Sequence, residues 1–205
     1  MATETELKLS IDPGLVETLL HHPLLQSAPK QQHLYNTYFD TDDLALTRQK
    51  VAVRERRIGE QTLLTIKTAG RSQNGFSQRL EWEGPTEPGA FNFCALVDDA
   101  ALASALAALA PKLMPVFTTD FERLTWLLDV DNSLVEVALD RGAIVAQRGN
   151  RQGQTPLCEL ELELKSGDAS ALSLLATRLQ AEVALRPSDE SKAARGYALF
   201  RSLAA

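Results

Sequence analysis

The sequence predicts an α+β protein built on a closed, mostly antiparallel barrel of about eight strands, with helices inserted and appended. Three observations carry this. Charged and apolar residues alternate with period two along much of the chain, as in Glu4-Thr5-Glu6-Leu7-Lys8 and Glu159-Leu160-Glu161-Leu162-Glu163-Leu164. Residues at i, i+2 and i+4 of a strand share one face, so each such run separates a charged side from an apolar one. The charged sides carry both signs, with Arg54, Arg56, Arg79 and Arg123 more prominent than lysine. Helical spacing is confined to the stretches between and after these runs.

In chain order, Glu4–Leu9 reads as the opening strand. Asp12-Pro13 starts a short helix to about Leu20, because Asp caps a helix and Pro suits its first turn. Leu34–Asp40 is aromatic and extended. Thr47–Arg57 and Gln61–Lys67 read as a hairpin around Gly59-Glu60, and Gly70–Gly75 as a loop leading to a strand at Ser77–Glu83. Pro85, Pro88 and Gly89 break the pattern. Ala90–Leu109 is an Ala-rich stretch of one or two helices. Strand signals return at Phe117–Leu128, Ser133–Asp140, Ala143–Arg148 and Leu157–Lys165. Ala169–Val183 and Ser191–Leu203 are closing helices. With no repeat or long linker, residues 1–205 are expected to form a single domain.

Composition excludes several chemistries. The formal charge is -6, which disfavours a nucleic-acid partner held by overall charge. Cys94 and Cys158 are too few for a disulfide framework, and His21, His22 and His33 lack metal-ligand spacing. The longest apolar stretch, Ala100–Ala110, is too short to span a membrane, and the N-terminus does not read as a signal peptide. A soluble, cytoplasmic protein is expected, whose chemistry rests on carboxylates, lysine and arginine. Gly70–Gly75 imitates the start of a phosphate-binding Walker loop, but Phe76 and Ser77 follow where Lys-Ser/Thr is needed. Neither a Gly-x-Ser-x-Gly motif nor a Cys/His pair supports a covalent nucleophile.

The wet side of an open sheet accounts for any one of the charged faces. As a set they read otherwise. Glu159, Glu161 and Glu163 repel one another and gain nothing in a row on an open surface. Arginine is suited to forked contacts with oxyanions. A closed sheet with its polar faces inward satisfies both signs, and eight strands enclose room for a small ligand. Clustered carboxylates without cysteine suit a hard cation, Mg²⁺ or Mn²⁺, and clustered basic residues suit an oxygen-rich anion. A phosphate chain bridged to carboxylates through metal meets both conditions.

At these residues the chain resembles the CYTH superfamily, the triphosphate tunnel metalloenzymes. Glu4-Thr5-Glu6-Leu7-Lys8 matches that family's ExExK signature. VRER at Val53–Arg56, TIK at Thr65–Lys67, QRLEWE at Gln78–Glu83, TDFERLTW at Thr119–Trp126, VALDRG, CELELELKSG and SKAARGY at Ser191–Tyr197 follow in the family's order. The resemblance covers essentially the whole chain and looks closest to the bacterial inorganic triphosphatases. It implies a closed eight-stranded antiparallel barrel forming a tunnel, flanked and plugged by helices.

The resemblance also implies a reaction, divalent-metal-dependent hydrolysis of inorganic triphosphate to diphosphate and orthophosphate. It assigns the metal to Glu4, Glu6, Asp140, Glu159, Glu161 and Glu163, with two ions of Mg²⁺ or Mn²⁺ expected. Lys8, Arg54, Arg56, Lys67, Arg79 and Arg123 are implied to grip phosphate oxygens, and Lys192 to orient the reacting end. Glu81 and Glu83 are expected to support the arginines, Arg195 to brace its helix, and Trp82, Trp126 and Tyr197 to lie in the core. Related activities on thiamine triphosphate or nucleotides, and a non-catalytic polyphosphate-binding role, are the alternatives. In that subgroup a helical CHAD domain commonly follows, so a covalent CHAD domain in a longer native chain is an expected partner.

Overall fold

The computed structural model describes residues 2–204. Strand β1 (Ala2–Ile11) is followed by α1 (Val16–Leu20), β2 (Lys30–Asp40), α2 (Ala45–Arg48), β3 (Ala52–Ile58), β4 (Gln61–Lys67), β5 (Arg71–Gln73) and β6 (Phe76–Pro85). Then come α3 (Phe93–Leu96), α4 (Ala100–Leu109), β7 (Met114–Val130), β8 (Ser133–Arg148), β9 (Arg151–Ser166), α5 (Ser170–Gln180), β10 (Leu185–Pro187) and α6 (Lys192–Ser202).

The sheet runs β1-β9-β8-β7-β2-β3-β4-β6, and β6 pairs back onto β1, which closes an eight-stranded antiparallel barrel. Strand β1 makes closure possible by changing partners along its length. Ala2–Leu7 pairs with β6, Glu6–Ser10 with β9, and Leu9–Ile11 with the short β10. The outer faces are apolar and helix-covered. Leu7, Leu9, Val137, Leu139, Leu160 and Leu162 pack under α1 and α5, while Val53, Leu64, Ile66 and Trp82 pack under α3 and α4. Each fully buried aliphatic or aromatic side chain of this kind contributes about 1.5–3 kcal/mol. Trp82, Trp126 and Tyr197 are buried, as expected.

Helix α6 differs from the others by packing on the inward side. Its Tyr197 meets Phe117 edge-on at 5.0 Å, and Phe117 stacks on Tyr38 at 4.4 Å. Phe117 and Tyr38 share the faces of Thr119 and Asn36, which point into the barrel. A Cβ on Gly196 would lie 2.2 Å from the Phe117 ring, so only glycine lets the helix seat this deeply. Ser191 caps it, its Oγ accepting from the Ala194 N–H.

Several sequence expectations are corrected. The strand expected from Thr47 begins at Ala52. Thr47 instead belongs to α2, whose Leu46 and Thr47 N–H groups donate to the buried Asp40 carboxylate, a contact with no periodic signal. The loop Gly70–Gly75 contains β5, joined to β6 by a two-residue Asn74-Gly75 turn with φ of 53° and 80°. Ser133–Asp140 and Ala143–Arg148 are one strand. Gly142 lies inside it because the strand crosses β7 closely there, where a Cβ would sit 2.1 Å from the Asp120 carbonyl oxygen. The inward faces are also not charged throughout: Leu34, Phe121 and Leu157 pack together with Ile58, filling one part of the lumen with apolar side chains.

Candidate active site

Alternation and register together bring the charged residues to one cavity of about 500 Å³. Strand β1 supplies Glu4, Glu6 and Lys8, β3 Arg54 and Arg56, β4 Lys67, β6 Arg79, β7 Arg123, β9 Glu161 and Glu163, and α6 Lys192. Of the expected site residues, only Asp140 and Glu159 are not among those lining it. They lie buried just behind Glu161, at 0% and 4% exposure.

Most of the basic groups are already matched to carboxylates. Arg79 Nε lies 2.6 Å from Glu4 and its Nη2 3.0 Å from Glu6. Lys67 bridges Glu4 at 2.8 Å and Glu81 at 3.1 Å, and Arg54 reaches Glu83 at 3.2 Å. Glu83 thus supports an arginine, as expected, whereas Glu81 pairs with Lys67 rather than with an arginine. Arg123 forks onto both oxygens of Asp140 at 2.6 Å and reaches Glu161 at 2.6 Å. Lys192 Nζ sits 2.6, 2.5 and 2.9 Å from Asp140, Glu159 and Glu161, which occupies all three donors of its ammonium. Arg195 braces α6 by donating to the Pro156 carbonyl oxygen, away from the cavity.

Arg56 and Lys8 are different. Of the expected basic residues, these two form no ion pair among the described residues. Arg56 Nε donates to the neutral Asn36 Oδ1 at 2.9 Å, and Lys8 Nζ to the Glu190 carbonyl oxygen at 3.0 Å. Burial, with Arg54 and Arg123 alongside, pulls the Arg56 guanidinium down to about 10. A cation in that setting gains most from an added anion.

The carboxylates show the converse imbalance. Glu6 stands opposite Glu163 on β9, and Glu163 opposite Glu136 on β8, so three carboxylates lie abreast on adjacent strands. Lys165 offsets this in part, 2.8 Å from Glu163 and 3.4 Å from Glu136. Burial pushes the Glu163 carboxyl up, and Glu4 and Glu136 add to it. Burial and Glu161 likewise outweigh Lys192 at Glu159, whose carboxyl is raised. Like charges directly opposite are destabilising unless a cation sits between them. Oxygen atoms of Asp140, Glu159 and Glu161 also fall within 4.8 Å of one another. An all-carboxylate donor set of this kind fits a hard divalent ion.

Glu136 and Lys165 line the cavity outside the expected site set; Lys165 lies one alternation step beyond Glu163 on β9, and Glu136 two steps before Asp140 on β8. Asn36 and Thr65 carry no charge, and nothing in their local pattern marks them.

Burial opposes ionisation of Glu4, but Lys67 and Arg79 outweigh it and bring its carboxyl from 4.5 to about 2. Its folded pKa is depressed, so its contribution to stability is full above 4.5 and is lost as pH falls toward about 2. In metal-free protein the thermal midpoint should therefore drop across this window more steeply for the wild type than for Glu4→Gln. Parallel curves for the two would show that Glu4 is not paired as described.

A model of the CYTH domain family matches residues 2–197. The chain is 34% identical over 209 residues to an inorganic triphosphatase of Haemophilus influenzae, an alignment covering 97% of this chain and 55% of that protein. It thus spans about half the length of this relative. Among solved structures it is similar to a Hippeastrum protein, HpAC1, described as having a dominant triphosphatase activity, with TM-score 0.62 and 18% identity over 97% of this chain and 95% of that one. The PH1819 protein of Pyrococcus horikoshii OT3 aligns with TM-score 0.59 and 17% identity over 94% and 97% of the two chains. These two likenesses concern the fold. With the ExExK strand, the closed barrel and its charged lumen in place, and the family model matching nearly from end to end, the chain belongs to the CYTH domain family.

Proposed function

We propose that the chamber hydrolyses inorganic triphosphate to diphosphate and orthophosphate with the help of bound Mg²⁺ or Mn²⁺, two ions per site. One observation carries this: two cations that form no ion pair among the described residues, Arg56 and Lys8, share a cavity with carboxylates crowded by like charge, Glu6, Glu163 and Glu136. A polyanion together with divalent metal balances both. The relative from Haemophilus influenzae supports the reading.

In this proposal Glu4, Glu6, Glu161 and Glu163 hold the divalent ions, and Asp140 and Glu159 act behind them as the counter-ions of Lys192 and Arg123. The bound metal supplies charge neutralisation for the phosphate oxygens and a more acidic water. Arg56 and Lys8 bind oxygens of the incoming chain, and Arg54 and Arg79 add donors already fixed by Glu83, Glu4 and Glu6. Lys192 stands beside Glu161 and keeps positive charge at the reacting end. Water serves as the nucleophile in this proposal, and among the described residues neither a cysteine nor a histidine lines the cavity. Preorganised cations of this kind stabilise charge that grows on the oxygens during transfer.

An inorganic substrate is favoured over an organic triphosphate by the aromatic lining. Tyr38 and Tyr197 are 5% and 4% exposed and offer no open face for a base or thiamine ring. Phosphate release should be measured with Mg²⁺ on triphosphate, ATP, thiamine triphosphate and long polyphosphate, with triphosphate expected to lead. Exhaustive chelation should abolish turnover, and Mg²⁺ or Mn²⁺ should restore it. Ca²⁺, which takes longer and less regular bonds, should inhibit in competition with Mg²⁺. Full activity after chelation would overturn the metal assignment, and no release from any of the four would overturn the function. A cytoplasmic location and a following CHAD domain belong to the same proposal.

A further inference from the structure

We propose that Asn36 is a positioning residue, a neutral amide that aims the Arg56 guanidinium into the cavity while leaving its charge free for a phosphate oxygen. The inference rests on the triphosphate reading and adds a residue that carries no charge and no motif.

The geometry begins with register. Asn36 on β2 lies directly opposite Arg56 on β3 and directly opposite Thr119 on β7. Its Oδ1 accepts from Arg56 Nε at 2.9 Å, and its Nδ2 donates to Thr119 Oγ1 at 2.8 Å. Asn36 is 1% exposed and Thr119 0%, so the amide is clamped between two strands and cannot rotate away without leaving buried donors unmet. The bond to Nε fixes the guanidinium plane and leaves its terminal N–H groups, the pair suited to a forked oxyanion contact, without a carboxylate hydrogen-bonded to them among the described residues.

The contrast with the other guanidinium groups gives the arrangement its meaning. Arg54, Arg79 and Arg123 are each held by carboxylates, Glu83, Glu4 with Glu6, and Asp140 with Glu161. An entering phosphate must compete with those anions for the charge it meets. At Arg56 the orienting group is neutral, so orientation costs none of the attraction. Aspartate is nearly the same shape as asparagine, and at this position it would supply the competing anion. Charge, rather than size, is therefore the property the site depends on.

The test is calorimetric binding of inorganic diphosphate with Mg²⁺, and of inorganic triphosphate with chelator, to the wild type, Asn36→Asp, Arg56→Ala and the double variant. Asn36→Asp should weaken binding about tenfold or more, close to the loss in Arg56→Ala, and should add little in the Arg56→Ala background. Steady-state KM should rise by a similar factor. Thr119→Val keeps the charges and frees the amide; it should weaken binding a few-fold and carries the test should Asn36→Asp not fold. Unchanged affinity in Asn36→Asp with normal wild-type binding would overturn the positioning role alone. An equal loss with and without Arg56 would do the same, since it would mark a general structural defect. Absence of any phosphate binding by the wild type would overturn the functional reading and this inference together.

Discussion

Arg56→Ala should lower kcat/KM for triphosphate by about 10²–10³-fold while leaving the protein at least as stable as the wild type. The two halves of this expectation have one cause. Arg56 is crowded by Arg54 and Arg123 and, among the described residues, forms no ion pair, so its charge is held at a cost in the free protein. Removing it relieves that repulsion and raises the thermal midpoint or leaves it in place. The same charge is the one most available to a phosphate oxygen, so its loss falls on substrate. Arg56→Lys should recover only part of the activity, because the fork and the Nε bond to Asn36 are both lost. Asp131→Asn, in an exposed turn, is the control and should change neither quantity. A variant that loses stability but keeps kcat/KM would show that Arg56 is a structural cation and that the anion binds elsewhere.

Lys192→Ala should have the opposite signature in stability. Its ammonium is the shared counter-ion of Asp140, Glu159 and Glu161; when it is removed, Arg123 still offsets Asp140 and Glu161, and Arg195, 3.6 Å from Glu159, offsets the third only in part. Breaking a buried ion-pair network from one side costs about 3–5 kcal/mol, because the remaining charges stay buried. For a chain of this length that corresponds to a fall in thermal midpoint of about 10 °C or more. Mg²⁺ should restore part of the loss, since the three carboxylates have oxygens within 4.8 Å of one another and can share a divalent ion once the ammonium is gone. Lys192→Arg, which keeps the charge, should lose less. A midpoint near that of the wild type, insensitive to Mg²⁺, would mean that the network adds nothing to stability.

These two residues show where a linear reading stops. Arg56 was readable from strand alternation and Lys192 from the family resemblance as basic groups of the lumen, yet Lys192 is fully matched and Arg56 is not. The difference lies in residues far off in the chain. Lys192 meets Glu159 across 33 residues, Lys67 meets Glu4 across 63, and Lys8 meets the Glu190 carbonyl across 182.

The sequence by itself determined most of the long strands, the closing helices and the sorting of charge to one side of the sheet. Those features follow from a two-residue or 3.6-residue period and from local capping, as at Asp12 and Ser191. Local pattern failed where packing set the outcome, at Gly142 inside a strand and at α2, which is anchored by Asp40. Only the tertiary structure decided which charges would be neutralised. Alternation says that Glu6, Glu163 and Glu136 each point to one face of a strand. Closure of β1 onto β6 and the register across β1, β9 and β8 set them side by side. The same register placed a neutral amide, with no signature of its own, against Arg56. Electrostatic energy depends on the distance between charges in space, and a barrel fixes that distance through pairings that no local period encodes.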